Sequence, residues 1–396
     1  MALTYFPERH SIDETPTPLA PVPPPPKPQR QDFGTNREGS QPTVKKSGGL
    51  FGRISLMERT VFTQNLYVMT RGGIPLAQAL ATLRIQTKNK RFKTILGVLQ
   101  QQIERGQSFS KALSLFPRYF SEVYVSMIAA GESSGKLESV LQELAVQLKK
   151  QRVLIGKIRG ALFYPAIVLI AMVAMGIVMF VFVIPKITDI YKETGAVLPL
   201  PTRMLIGIST FVLGNGILVL LALLVLGVAL GRYLRTTSGK KLSHGLLLRL
   251  PVFGTIIKKI NLARFARTLH SLLQTDIPIV QSFQIIERTL GNIHYRMAMS
   301  EASQLLKKGI SVVEALQKRP ALFPPMVAQM LAVGEQSGTL DELANEIANF
   351  YEEDVDETMT NFSSIIEPVL LLLLGIGVAG MALAILLPMY SLTNQI

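Results

Sequence analysis

There is no cysteine anywhere in this chain of 396 residues. That excludes disulfides and thiolate metal sites, and it fits domains held in a reducing cytoplasm. Histidine is nearly as scarce: only His10, His244, His270 and His294 occur. None forms a His-x-x-x-His or similar pair, which argues against a zinc site. No Gly-x-Ser-x-Gly elbow is present to position a nucleophilic serine. Gly131–Leu137 resembles a phosphate loop only superficially. Such a loop needs four residues between its glycines and Ser or Thr after the lysine. Here three intervene and Leu137 follows, and Thr236–Lys241 fails the same test. Met1–His10 has no basic segment leading into an apolar one, so no cleaved signal peptide is expected and the apolar runs themselves direct insertion. No catalytic, cofactor or metal constellation emerges, and the expectation is a non-enzymatic protein that needs no cofactor.

Charge is missing from three long stretches. Gly160–Pro185, Met204–Gly231 and Pro368–Ile396 carry no charged residue, and each is at least 26 residues long. About 20 apolar residues suffice to cross a bilayer, so these read as three transmembrane helices. Hydrophobic residues make up 48% of the chain, and the mean hydropathy of +0.33 fits a membrane protein. The absence of charge inside the runs also counts against a proton- or ion-coupled path through them.

Outside the runs the balance is basic, with a net charge of +14. In a soluble protein that would raise nucleic acid as a partner. No aromatic-basic interleaving of the single-strand-binding kind appears, so no nucleic acid is expected. The positive charge instead flanks the runs. Lys149, Lys150, Arg152, Lys157 and Arg159 precede the first, and Arg232, Arg235, Lys240, Lys241 and Arg249 follow the second. By the positive-inside rule both large polar regions and the N-terminus are cytoplasmic, and the short 186–203 loop and the C-terminus are external.

The most informative feature present is a repeat. Residues 62–191 and 265–394 match at a constant offset of 203. Phe62 matches Phe265, Ile74-Pro75 matches Ile277-Pro278, and Gly106/Ser108 matches Gly309/Ser311. Gly131-Glu132-Ser133-Ser134-Gly135-Lys136-Leu137 lies over Gly334-Glu335-Gln336-Ser337-Gly338-Thr339-Leu340. Pro165 falls on Pro368, and Pro185 on Pro388. A unit written twice, polar module and apolar run together, points to a pseudo-symmetric scaffold more than to a catalytic site.

Apolar spacing makes each module helical. Leu137, Val140, Leu141, Leu144, Ala145 and Leu148 follow the i, i+3, i+4, i+7 rule, and Leu340, Leu343, Ala344 and Ile347 repeat it. About six helices per module, with no strand pattern, make two compact bundles. The expected organisation is a Pro-rich disordered cytoplasmic tail at 1–50, a first module at 55–160, spans at 161–185, 204–231 and 365–388, a second module at 250–362, and an external tail at 389–396. The fold class is an all-α membrane protein: two homologous cytoplasmic helical-bundle modules and three transmembrane helices.

Local chemistry adds finer expectations. Pro165 and Pro368 are placed to kink their helices, and Pro185 and Pro388 to end them. Asp276 is placed to cap the helix that begins after Ile277-Pro278, and Thr339 with Glu342 to form a capping box. Gly131, Gly135, Gly334 and Gly338 read as turn positions that permit positive φ. Glu132 and Glu335 read either as caps of the following helix or as contacts to a partner. Before the third run stand Glu352, Glu353 and Asp354, where the first copy has Lys149, Lys150 and Arg152. The opposite charges read either as two solvated faces or as helix ends that pair, within one chain or between protomers.

With these residues in view, the chain resembles the type II secretion F family, the PilC- and GspF-like inner-membrane platform proteins of type IV pili and type II secretion. The tandem Gly-Glu-x-Ser-Gly turns, Tyr164-Pro165, Glu367-Pro368 and Leu387-Pro388-Met389-Tyr390 carry the resemblance, which spans about residues 55–396. Many members begin with a short Gly-containing region where this chain has its Pro-rich tail. The resemblance implies a platform bound by a hexameric secretion ATPase that lifts pilin or pseudopilin subunits from the bilayer. It implies as further partners other inner-membrane assembly proteins, membrane lipid and a second copy of the chain. Leu137 and Leu340, with the glycines and glutamates of the two turns, are then partner-interface or structural-turn residues. Two rivals remain open: a membrane transporter or channel, and a membrane-anchored regulatory scaffold with the Pro-rich tail as bait.

Overall fold

The computed structural model describes residues 54–186, 188–189, 203, 206–207, 209–211 and 214–393. The expectations for the 1–50 tail, the 190–202 loop and the last residues lie outside these. Among the described residues the chain is helical throughout, with no strand. In the first module α1 spans Leu56–Arg71, α2 Leu76–Gln86, α3 Lys90–Glu104, α4 Phe109–Ser114, α5 Glu122–Ser134 and α6 Leu137–Val178. After α7 (Gly216–Arg235) and α8 (Thr237–Arg249), the second module has α9 (Phe253–Gln274), α10 (Ile279–Thr289), α11 (Ile293–Leu306), α12 (Val312–Gln317), α13 (Pro325–Ser337) and α14 (Leu340–Thr393).

The offset of 203 carries into three dimensions. Asn89 and Asn292 cap α3 and α11 with their side chains, and Ser108 and Ser311 cap α4 and α12. An Asx or Ser oxygen at this position accepts an N–H that the first helical turn leaves free. Phe62 packs edge-on against Phe92 at 5.4 Å and beside Phe120 at 6.1 Å. Its twin Phe265 lies 5.4 Å from Phe323, which lies 5.6 Å from Tyr295. Each trio sits at the centre of its module, and one continuous apolar core joins both.

Two expected helix caps are not formed. Asp276 does not cap α10. It occupies the position of Gly73, with φ of +59° against +77°, and its carboxylate lies 2.8 Å from Lys136 Nζ. Aspartate is among the few residues that adopt this conformation readily, which is why the turn survives without glycine. Thr339 is not set in a capping box either: its hydroxyl lies 2.6 Å from that of Ser337. A capping box does occur at Ser55 and Glu58, where each side chain meets the other's backbone N–H.

Three helices are long and apolar enough to cross a membrane: Leu137–Lys186, Gly216–Arg235 and Leu340–Gly380. The last helix of each module runs unbroken into its span. α6 continues through Pro165 and α14 through Pro368. Neither Pro185 nor Pro388 ends its helix at once. A π-helical turn, Met179–Val183, precedes Pro185, and helix continues to Lys186; α14 runs past Pro388 to Thr393. Wider π-helical spacing is one way a helix accommodates a residue that brings no N–H.

Below the spans, α6, α9 and α14 meet in a small second core of Leu154, Ile256, Val355, Met359 and Phe362. α8 docks on the second module through His244 Nδ1, which accepts the Ile293 N–H at 3.2 Å. Burial, helped by His294, Arg296 and Lys240, holds His244 below its ordinary value of 6.5. A histidine depressed in the fold takes up more protons when the contact opens, so the contact gains strength as pH rises through this window. Protonation of Nδ1 removes the acceptor. Hydrogen exchange at the Ile293 amide, corrected for its intrinsic pH dependence, should show full protection above pH 6.5 and lose it as pH falls below that value.

Candidate functional site

The twin Gly-Glu-x-Ser-Gly segments are mostly helix rather than turn. Gly131–Ser134 form the last turn of α5, and only Gly135-Lys136 links it to α6. Gly135 and Gly338 take φ of +70° and +76°, as a left-handed helix end requires. Gly131 and Gly334 do not: they are buried inside helices, where the next helix comes too close for a side chain. A Cβ on Gly131 would stand 2.7 Å from Val140 Cγ2, and one on Gly334 2.9 Å from Leu340 Cα. Leu137 and Leu340 therefore serve as the first residues packed over these glycines.

Glu132 and Glu335 cap helices, though not the ones that follow them. The Glu132 carboxylate accepts the N–H of Phe109 and, at 2.9 Å, that of Ser110. Glu335 accepts the Val312 N–H at 3.0 Å with both oxygens. Each reaches back to the start of the short helix, α4 or α12, that lies 23 residues earlier. A six-residue helix is marginal alone, and a carboxylate at its positive end fixes it. The motif thus ties three consecutive helices of each module into one clamp.

The charged helix ends do meet within one chain. α6 and α14 run side by side, with Lys150 Nζ 3.2 Å from Glu352 and Lys157 Nζ 2.5 Å from Asp356. Asp354 pairs instead with Lys259 of α9, at 2.6 Å. Lys149, Arg152 and Glu353 are exposed and form no ion pair among the described residues.

Sequence reasoning missed the residue at the centre of this seam. Arg267, on the inner face of α9, is buried. Its guanidinium donates to Glu352 Oε1 at 2.8 Å and Oε2 at 3.0 Å, to Asn345 at 2.6 Å and to Asn349 at 2.7 Å. The signal in the sequence is slight: Arg267 lies in the mixed stretch Leu262–Leu269, which also holds Arg264, and its twin is Gln64. Further polar links join the modules: Ser271 to Glu143 at 2.6 Å and Arg288 to Glu122 at 2.7 Å. Between them lies a cleft of about 710 Å³ lined by both modules, with Lys150, Arg264, Arg267 and Arg288 facing Glu122 and Glu352. Burial pushes the Arg264 guanidinium down, and its Nε has no hydrogen-bond partner. Among the described residues no group of acidic, histidine or cysteine side chains could hold a metal ion.

The sequence profile of the family described as "Type II secretion system (T2SS), protein F" matches the chain twice, at residues 62–185 and 265–388. The chain belongs to that family. The two matched stretches are the two copies of the repeat, at the same offset of 203. Among curated relatives, the type IV pilus assembly protein PilC of Thermus thermophilus is 35% identical over 363 residues, covering 92% of this chain and 88% of that one. The PilC of Pseudomonas aeruginosa is 30% identical, covering 91% and 98%. The type II secretion system protein F of Pseudomonas aeruginosa is 32% identical over 380 residues, covering 96% and 91%. The family and the three apolar helices together point to an inner-membrane protein.

Proposed function

We propose that the chain is a non-enzymatic inner-membrane platform that couples a cytoplasmic secretion ATPase to assembly of pilin subunits into a type IV pilus or type II secretion pseudopilus. The observation that carries this reading is the direct continuity of both modules with membrane spans. α6 and α14 each run from a clamp, through the charged seam, into the bilayer. A displacement imposed on either module is therefore delivered to a span without an intervening loop. The names of the relatives, a type IV pilus assembly protein and a type II secretion system protein F, support the choice of system.

On this reading both modules and the N-terminus are cytoplasmic and the C-terminus is external. The modules offer a repeated surface to a hexameric ATPase, and the spans contact the apolar helix of a pilin or pseudopilin. Lys149, Arg152 and Glu353, left out of the intrachain seam, serve contacts between protomers or to other assembly proteins. Affinity purification of the tagged full-length chain from its own cells should bring the secretion ATPase with it, and adding the purified chain should alter ATP turnover. An ATPase that neither copurifies nor changes its rate refutes the coupling.

A further inference from the structure

α8 connects the second span to the second module, and nothing among the described residues covers one side of it. Its inner face docks on α9 and α11. The histidine contact to Ile293 holds it there, as does His294 Nε2, 3.2 Å from the Lys241 carbonyl. Its outer face carries Leu242, Leu246 and Leu250, which are 64%, 60% and 40% exposed. Spaced four apart, they form one apolar stripe along the helix.

Both ends of α8 are fixed at the level of the membrane boundary. At its start, α7 ends at Arg235 and α8 begins at Thr237. Gly239 lies so close beneath α7 that a Cβ there would stand 2.0 Å from the Tyr233 carbonyl oxygen. Beyond its end, Phe253, the first residue of α9, packs edge-on against Phe362 of α14 at 5.9 Å, just below the third span. A helix of 13 residues, about 20 Å long at 1.5 Å per residue, that starts at the end of one span and leads into a contact at the base of another is placed to run along the bilayer surface rather than away from it. Arg232, Arg235, Lys241 and Arg249 surround the stripe. Leucines on one face with basic residues around them suit the boundary between anionic headgroups and acyl chains.

We infer that α8 is an interfacial helix that seats the second module on anionic phospholipid, with its leucine stripe at the acyl boundary and its basic residues on the headgroup phosphates. The inference rests on the membrane reading of α7 and α14.

The missing cysteines make the test clean, because a single introduced cysteine is the only site of labelling. The full chain is reconstituted into phosphatidylcholine vesicles with and without phosphatidylglycerol, carrying an environment-sensitive dye at Leu246→Cys. Dyes at Leu224→Cys in α7 and Ile85→Cys in α2 serve as membrane and water references. With phosphatidylglycerol, the dye at 246 should shift to the blue and be quenched by shallow spin-labelled lipid, while that at 85 reads water. Lys241→Glu with Arg249→Glu should return it towards water, with the seated-to-free ratio falling about five-fold per charge removed. A dye at 246 that reads water in both lipids, while that at 224 is quenched deep in the bilayer, overturns the seat alone. A dye at 246 that is shielded equally in both lipids, and unmoved by the charge reversals, overturns it in favour of a protein partner on the stripe. If the dye at 224 also reads water, the membrane reading itself fails.

Discussion

Arg267→Ala should lower the stability of the purified full-length chain by about 3 kcal/mol, the magnitude seen when one partner of a buried ion pair is removed. The side chain is 9% exposed and Glu352 16%. Removing the guanidinium strands a carboxylate that keeps only Lys150, at 3.2 Å, and leaves Asn345 and Asn349 without their donor. Arg267→Lys should recover less than half of the loss, because one ammonium cannot reproduce a planar fork bonded to three side chains. The readout is thermal or denaturant unfolding in detergent, followed by helix circular dichroism. A loss below about 1 kcal/mol would mean that the seam is no stronger than a surface ion pair.

The second large effect concerns the clamp. Gly334→Val should destabilise the second module by about 3 kcal/mol, the upper part of the range for forcing extra atoms into a packed site. The nearest obstruction is the Leu340 backbone, 2.9 Å from the new Cβ, and backbone cannot rotate aside. Gly131→Val should cost less, because its nearest neighbour is the Val140 side chain, which can shift a little. Glu335→Gln is the milder companion, since its amide oxygen still accepts one Val312 N–H but loses the charge that suits a helix start. About 1 kcal/mol is expected, as for other cap losses. Equal melting of Gly334→Val and the unmodified chain would show that α13 and α14 separate freely.

Much of this architecture is legible in the sequence, and the reasons are local. Constant spacing carries a repeat whatever its fold, so Phe62/Phe265 and the twin glycine segments announced two like modules. Uncharged runs of at least 26 residues have few soluble alternatives, and all three overlap helices long and apolar enough to cross a membrane. What periodicity does not reveal is which helix a side chain reaches. Glu132 looked like a cap for the helix after it, yet its partner is α4, on the far side of a helix hairpin. Asp276 looked like a cap and proved to be a left-handed turn residue, because its twin Gly73 specifies the backbone there. Arg267 escaped notice because one of two arginines in a mixed stretch is silent until its acceptors, some 80 residues onward, are folded against it.

On the proposed function, continuity between module and span drives assembly. The most direct test is a clean deletion of the gene, scored together by electron microscopy for surface filaments and by fractionation for a retained exoprotein. Loss of filaments, or an exoprotein trapped behind the membrane, is expected, restored by the unmodified gene and not by Gly334→Val. Normal filaments with normal secretion would contradict the proposed function.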